Sequence, residues 1–341
     1  MKKVFIFEIK RLLIPLAVYL GIMIILGFAI MLTWYDLDWR NFTTLFGLFM
    51  LFLIVGIIYI VFSYNKKRIS ADMTYSLPVT KRELFIGKYL ASLAALAVMA
   101  FLYLLICYII IGLADLSGLF EFSESYQSVG EQIGNFTVGW LIHLVITIPL
   151  FNFLLLFYYK ANTILDGIVF VLLGLFIVFL MGQIFIELTH SYIVVFPLIM
   201  YVEAPKYFLP GPYFGQIHNG LYGEEFTLFV TLFLIYTILG YLIIIYLIWF
   251  SKKDCSIRTQ GICNGIFGYR VFLPLLGALI PIASVLGSGF DAIWFVLVAV
   301  GLFIGYCIYH RSIKFNKESY IIFASTLGFD FIFVILWIAS L

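Results

Sequence analysis

Charge is scarce in this sequence: Asp, Glu, Lys and Arg make up 11% of its 341 residues, against about a quarter in ordinary globular domains. A chain this poor in charge, 64% hydrophobic and with a mean hydropathy of +1.13, has more apolar surface than one water-facing core can hide. Motifs for chemistry are missing as well. There is no G-x-x-x-x-G-K-[ST] phosphate loop, so the chain does not bind ATP in the P-loop manner by itself. No H-E-x-x-H or G-x-S-x-G occurs, and the four histidines, His143, His190, His218 and His310, are scattered. This disfavours an enzyme. Of the four cysteines, Cys107 and Cys307 lie in apolar runs, and Cys255 and Cys263 have no second pair beside them, so a zinc site is not expected and all four read as reduced. The net charge is +2, and no basic face stands apart from the membrane flanks, which argues against nucleic acid as a partner.

What is present is a series of apolar runs. Unpaired backbone groups are costly in hydrocarbon, so only helices or closed barrels span it, and uninterrupted runs of about 20 residues select helices. The expected fold is therefore all-α, a polytopic membrane protein. Nine candidate spans cover residues 12–35, 44–64, 89–113, 137–159, 164–186, 226–250, 271–287, 292–310 and 320–341. The ninth carries Asp330 near its middle. A central Asp costs about +2.5 to +3.5 kcal/mol, and each Leu, Ile, Phe or Val returns about −0.3 to −0.6; the many such residues of 321–341 outweigh it, with eight spans as the alternative.

Threading nine spans from a cytoplasmic N-terminus leaves only Arg40 and Lys206, of the 20 Lys and Arg residues, on the outer side. One span more or fewer would invert every later loop and erase that bias. Glu8, Lys10 and Arg11 interrupt the place where a secretory signal is apolar, so the first segment is expected to stay as a membrane helix. Phe5, Ile6, Ile9, Leu12 and Leu13 recur among basic residues, the pattern of an interfacial amphipathic helix that runs into the first span near Pro15, with a plain basic flank as the alternative.

The loop after the second span is the most informative segment. Following Lys66, Lys67 and Arg68, the residues Ile69, Met73 and Leu77 share one face of a short helix, with Ser70 as cap and Asp72 in its first turn. Pro78 ends it. Thr80 and Glu83 then have capping-box spacing, and Val79 and Leu84 occupy the staple positions that fix how a chain enters a helix. The result is a short cytoplasmic helix over 69–77, a rigid corner, and a capped entry to the third span through Lys88.

The run Leu77-Pro78-Val79-Thr80-Lys81-Arg82-Glu83-Leu84, with Lys88 shortly after, resembles the corresponding loop of bacterial permease subunits of ABC type 2 exporters. The resemblance extends loosely over residues 1–270. It implies that 69–77 is a coupling helix, with Ile69, Asp72, Met73, Tyr75, Ser76 and Leu77 facing a separate ATP-binding cassette subunit. It further implies that ATP and Mg bind on that partner, and that two permease chains, identical or not, pair around a path in the bacterial cytoplasmic membrane. A six-span core would occupy residues 1–250, and 251–341 would add a cytoplasmic loop and two or three further spans that the simplest members lack.

Residues 187–225 hold Pro197, Pro205, Pro210 and Pro212 among many aromatics, and their apolar stretch is too short to cross. A re-entrant hairpin at the outer mouth fits, with an anchoring aromatic belt as the alternative. In the basic loop 251–270, a second contact with the ATP-binding subunit and a plain solvated loop fit equally. Within the spans, Thr163 caps the helix that carries Asp166, and His143, Asn152 and Gln183 read as interhelical hydrogen-bond formers. Asp330 is left as the intramembrane polar candidate, with a protonated acid hydrogen-bonded to a neighbouring helix as the alternative. The expected function is the permease of an ATP-driven exporter for a hydrophobic or amphipathic cargo, a peptide first and a lipid-linked molecule second. The rivals are an ion-coupled secondary transporter and a non-transporting scaffold or immunity protein.

Overall fold

The computed structural model describes residues 2–33, 39–63, 79–117, 129–161, 163–189, 223–253, 269–288, 292–310 and 317–340. They form nine helices: α1 (Lys2–Thr33), α2 (Trp39–Ser63), α3 (Lys81–Ser117), α4 (Val129–Lys160), α5 (Ile164–Thr189), α6 (Gly223–Lys253), α7 (Tyr269–Ser288), α8 (Ala292–His310) and α9 (Lys317–Ser340). No strand occurs among the described residues. Four stretches, Lys2–Leu26, Leu45–Ser63, Lys81–Leu113 and Ile133–Lys160, are long and apolar enough to cross a bilayer within the described residues alone. The protein is an all-α, multi-pass membrane protein.

Contacts divide the chain into two units, and the division is not sequential. The first comprises Met1–Leu155 and Leu198–Ser256, the second Leu156–Pro197 and Ile257–Leu341.

In the first unit α3 is the central element, packing on α1, α2 and α6. Its 37 residues reach about 55 Å at 1.5 Å per residue, well beyond the ~30 Å hydrocarbon core, so the helix is long enough to project past the lipid tails. Small residues Ala91, Ser92, Ala95 and Ala100 are buried along it and let neighbouring backbones approach. Its other side carries exposed Val98, Phe101, Leu105 and Ile109, which suits lipid. α1 is one helix from Lys2 and buries Val4, Glu8 and Leu12, residues four apart on a single face. α4 and α6 meet where Gly240 lies on Pro149: a Cβ at Gly240 would come 2.5 Å from the Pro149 Cα, a contact that excludes any side chain.

In the second unit Phe170 and Ile177 of α5, Phe272, Leu273 and Leu276 of α7, and Val298, Leu302 and Tyr306 of α8 share one buried cluster. Glycine makes these helices fit, since a Cβ at Gly277 would stand 2.6 Å from the Thr326 methyl of α9. The start of α5 is capped by Thr163, whose hydroxyl accepts from the Asp166 N–H at 3.1 Å.

Candidate functional site

The loop that carries most of the sequence-predicted contacts joins α2 to α3. Ile69, Asp72, Met73, Tyr75, Ser76, Leu77 and Pro78 lie outside the described residues; the structure describes the two helix ends that hold them. At the α3 end the Glu83 N–H donates to the Thr80 hydroxyl at 3.2 Å, and the Thr80 N–H donates to the Glu83 carboxylate at 3.0 Å. The Thr80 hydroxyl also donates to that carboxylate at 2.9 Å, and the Leu84 N–H reaches the Thr80 carbonyl at 3.0 Å. These bonds satisfy N–H groups that a helix start leaves unpaired. The Thr80 backbone N–H, and then its hydroxyl, hold the exposed Glu83 carboxyl below the usual carboxylate range. Val79 is half-buried and Leu84 buried, both at the staple positions.

One turn beyond this cap, three charged side chains converge. Lys88 and Glu8 are each only 2% exposed. The Lys88 ammonium lies 3.7 Å from one Glu8 oxygen, and an Arg11 guanidinium nitrogen lies 3.3 Å from the other. Both cations also donate to the last turn of α2: Lys88 to the Val61 carbonyl at 3.3 Å, and Arg11 to the Ile60 carbonyl. Those carbonyls are among the four that a helix C-terminus leaves without partners, where its dipole carries about −0.5 charge. Two cations therefore meet one carboxylate and one helix end, which nearly balances the buried charge. The cluster ties α1, α2 and α3 together at the base of the 64–78 loop.

The next residue continues the tie on the opposite side. The Tyr89 hydroxyl donates to the Asn152 side chain of α4 at 3.0 Å, and the Asn152 amide donates to the Gly240 carbonyl of α6 at 3.0 Å. Asn152 is fully buried and forms the interhelical bonds expected of it. Two adjacent residues at the entry of α3 thus reach the other four helices of the unit.

Sequence reasoning missed the Glu8–Arg11–Lys88 cluster. Its signals were present: Glu8 is a lone acid among basic residues with Arg11 three positions on, and Lys88 sits two turns past Lys81 and Arg82, toward the apolar run. Elsewhere, His143 is buried in α4, with Nδ1 3.0 Å from the Gly139 carbonyl and its ring edge-on to Phe46. The Gln183 side chain and residues 190–222 and 254–268 lie outside the described residues. In the second unit an apolar cleft of about 480 Å³ opens between α5, α7 and α8, lined by Leu165, Leu173, Leu276, Leu297, Gly301 and Ile304 among others. Asp330 is buried in α9 of that unit. Among the described residues no group of three or more His, Cys, Asp or Glu side chains is placed to hold a metal.

Residues 7–204, more than half of the chain, match the family model described as ABC-2 family transporter protein. The matched stretch includes α1 from residue 7 onward, α2 to α5, the 64–78 loop and the Glu8–Arg11–Lys88 cluster. No curated protein and no solved structure matches the chain.

Proposed function

On the premise that this chain belongs to the ABC-2 transporter family and is the transmembrane component of an ABC transporter, we propose that it works as an exporter driven by a separate ATP-binding cassette subunit. ATP and Mg would bind on that partner. The asymmetry of Lys and Arg supports a cytoplasmic N-terminus and a cytoplasmic 64–78 loop. There residues 69–77 form the coupling helix, offering Ile69, Met73 and Leu77 to the partner's surface.

The observation that carries this reading is the way the loop is anchored. A displacement of 69–77 passes through Pro78 to a start of α3 that its capping box keeps from fraying. From there Lys88 hands it to α1 and α2, and Tyr89 to α4 and α6. A helix start bonded to one neighbour could tilt only that neighbour, whereas the start of α3 is bonded through Lys88 and Tyr89 to the other helices of the first unit. The ATPase must bind the two permease states with different affinity to shift their balance. A second permease chain would complete the path, and walls rich in Phe, Leu and Ile suit a hydrophobic or amphipathic cargo, a peptide ahead of a lipid-linked molecule.

Co-purification tests the reading. A stoichiometric P-loop ATPase retained by the wild type and lost with Met73→Asp and Leu77→Asp supports it. Full transport with no ATPase present would favour an ion-coupled carrier instead.

A further inference from the structure

The family match ends before α6 and so gives no account of a carboxylic acid inside the C-terminal helices. Asp330 has 0% of its surface exposed, and neither carboxyl oxygen has a hydrogen-bond partner among the described residues. Such a group is not explained as a cap, since α9 begins at Lys317 and continues to Ser340.

Register fixes what surrounds it. Short connections make α7 and α8, and α8 and α9, antiparallel neighbours, so α7 and α9 run in the same direction. Leu302 of α8 and Thr326 of α9 both abut Gly277 of α7, Leu273 abuts Gly305, and the Tyr306 ring packs edge-on against Phe323. One turn beyond Thr326 is Asp330. One turn beyond Gly277 is Pro281, at the level of Val298 on α8, and both are buried. On α7 and α8 this level is hydrocarbon. No residue of α7 from Val271 onward is ionisable, and on α8 the first is Tyr306, with Cys307 beside it, about two turns nearer the Lys317 end. On α9 itself the other ionisable residues, Lys317, Glu318 and Tyr320, all lie in its first turn.

A charged carboxylate with neither water nor a counter-ion is strongly disfavoured in such a place, and the group escapes by holding a proton. One turn from this level, α7 also carries a backbone acceptor without its helical donor. Pro281 has no N–H, so the Gly277 carbonyl, four residues earlier in α7, loses its helical donor.

We propose that Asp330 is a proton-binding site: a carboxylic acid that keeps its proton while α7, α8 and α9 are packed and exchanges it only when they part. The ligand is the proton. Because the packed arrangement holds the proton and the opened one releases it, lower pH favours the packed arrangement, and any step that separates these helices is linked to proton release.

The test uses the full chain in liposomes, treated at pH 7 with dicyclohexylcarbodiimide or with a water-soluble carbodiimide. A neutral carboxyl adds across one C=N bond of the reagent. The carboxyl oxygen bonds to the central carbon, its proton passes to a nitrogen, and the acyl group then migrates to nitrogen as a stable N-acylurea with no leaving group. The proposal expects an adduct on Asp330 from the lipid-soluble reagent, at least tenfold less from the water-soluble one, and none in D330N. It also expects the infrared difference between wild type and D330N to carry the carbonyl stretch of a neutral acid. Equal reaction with both reagents, or carboxylate bands in that difference, would each overturn it. Should D330N not fold, the two-reagent comparison on the wild type decides alone.

Discussion

Replacing Lys88 by Met keeps the length of the side chain and removes the charge. Glu8, 2% exposed, would then be left with Arg11 alone, and the Val61 carbonyl would lose its donor. Breaking a buried pair by removing one partner costs about 3–5 kcal/mol. The Arg11 nitrogen at 3.3 Å still compensates the carboxylate in part, which places the expected loss near the lower end, about 3 kcal/mol. Glu8→Gln should cost a similar amount, because two cations then face each other across the α1–α3 contact. The double variant Glu8→Gln with Lys88→Met removes both members and should recover stability, giving a coupling energy of about 1.5–3 kcal/mol between the sites. Unfolding of the purified chain from mixed micelles by added SDS measures the four members of the cycle. Costs that simply add in the double variant, or single losses below about 0.5 kcal/mol, would refute the argument that this cluster joins α1 to α3.

Thr80→Ala removes the acceptor for the Glu83 N–H and should cost about 1 kcal/mol, read by the same unfolding assay, with faster amide exchange confined to the first turn of α3. The Glu83 carboxyl is lowered by its bonds to Thr80, so its stabilising contribution is present above the ordinary glutamate range and is lost as pH falls through its depressed value; amide protection of Leu84 should drop there and not in Glu83→Gln. Gly240→Ala drives a methyl group into the Pro149 backbone and should cost about 1–3 kcal/mol. Gly301→Ala, with open space around it, should be neutral or stabilising by up to about 1 kcal/mol; a loss equal to that of Gly240→Ala would show that the tight contact is not the cause.

The membrane class was legible because it depends on composition and run length, which are local. Helix ends were legible only where a local device marks them. Thr80 and Glu83 announce the start of α3 at Lys81, and Thr163 announces α5. The helical pattern of Phe5, Ile6, Ile9, Leu12 and Leu13 running into the first span agrees with α1, one continuous helix from Lys2, but the burial of Val4 and Glu8 against other helices left no mark in that pattern. Helix partners were not legible. Spans that are apolar on all sides have no amphipathic stripe to show which face packs inward, so the grouping of α5 with α7 and α8 and the pairing of Glu8 with Lys88 appear only in three dimensions. Asn152 could be read as an interhelical bond former, but its acceptor is a backbone carbonyl at Gly240, and a carbonyl leaves no mark in a sequence.

The central claim is that residues 69–77 receive motion from an ATPase and deliver it through Lys88 and Tyr89. A photo-crosslinking amino acid placed at Met73, in cells that contain the complete transporter, tests it most directly. The account predicts a covalent adduct with an ATP-binding cassette protein, and a changed yield when ATP is trapped on that protein. An unlinked chain that still transports at the wild-type rate would contradict it.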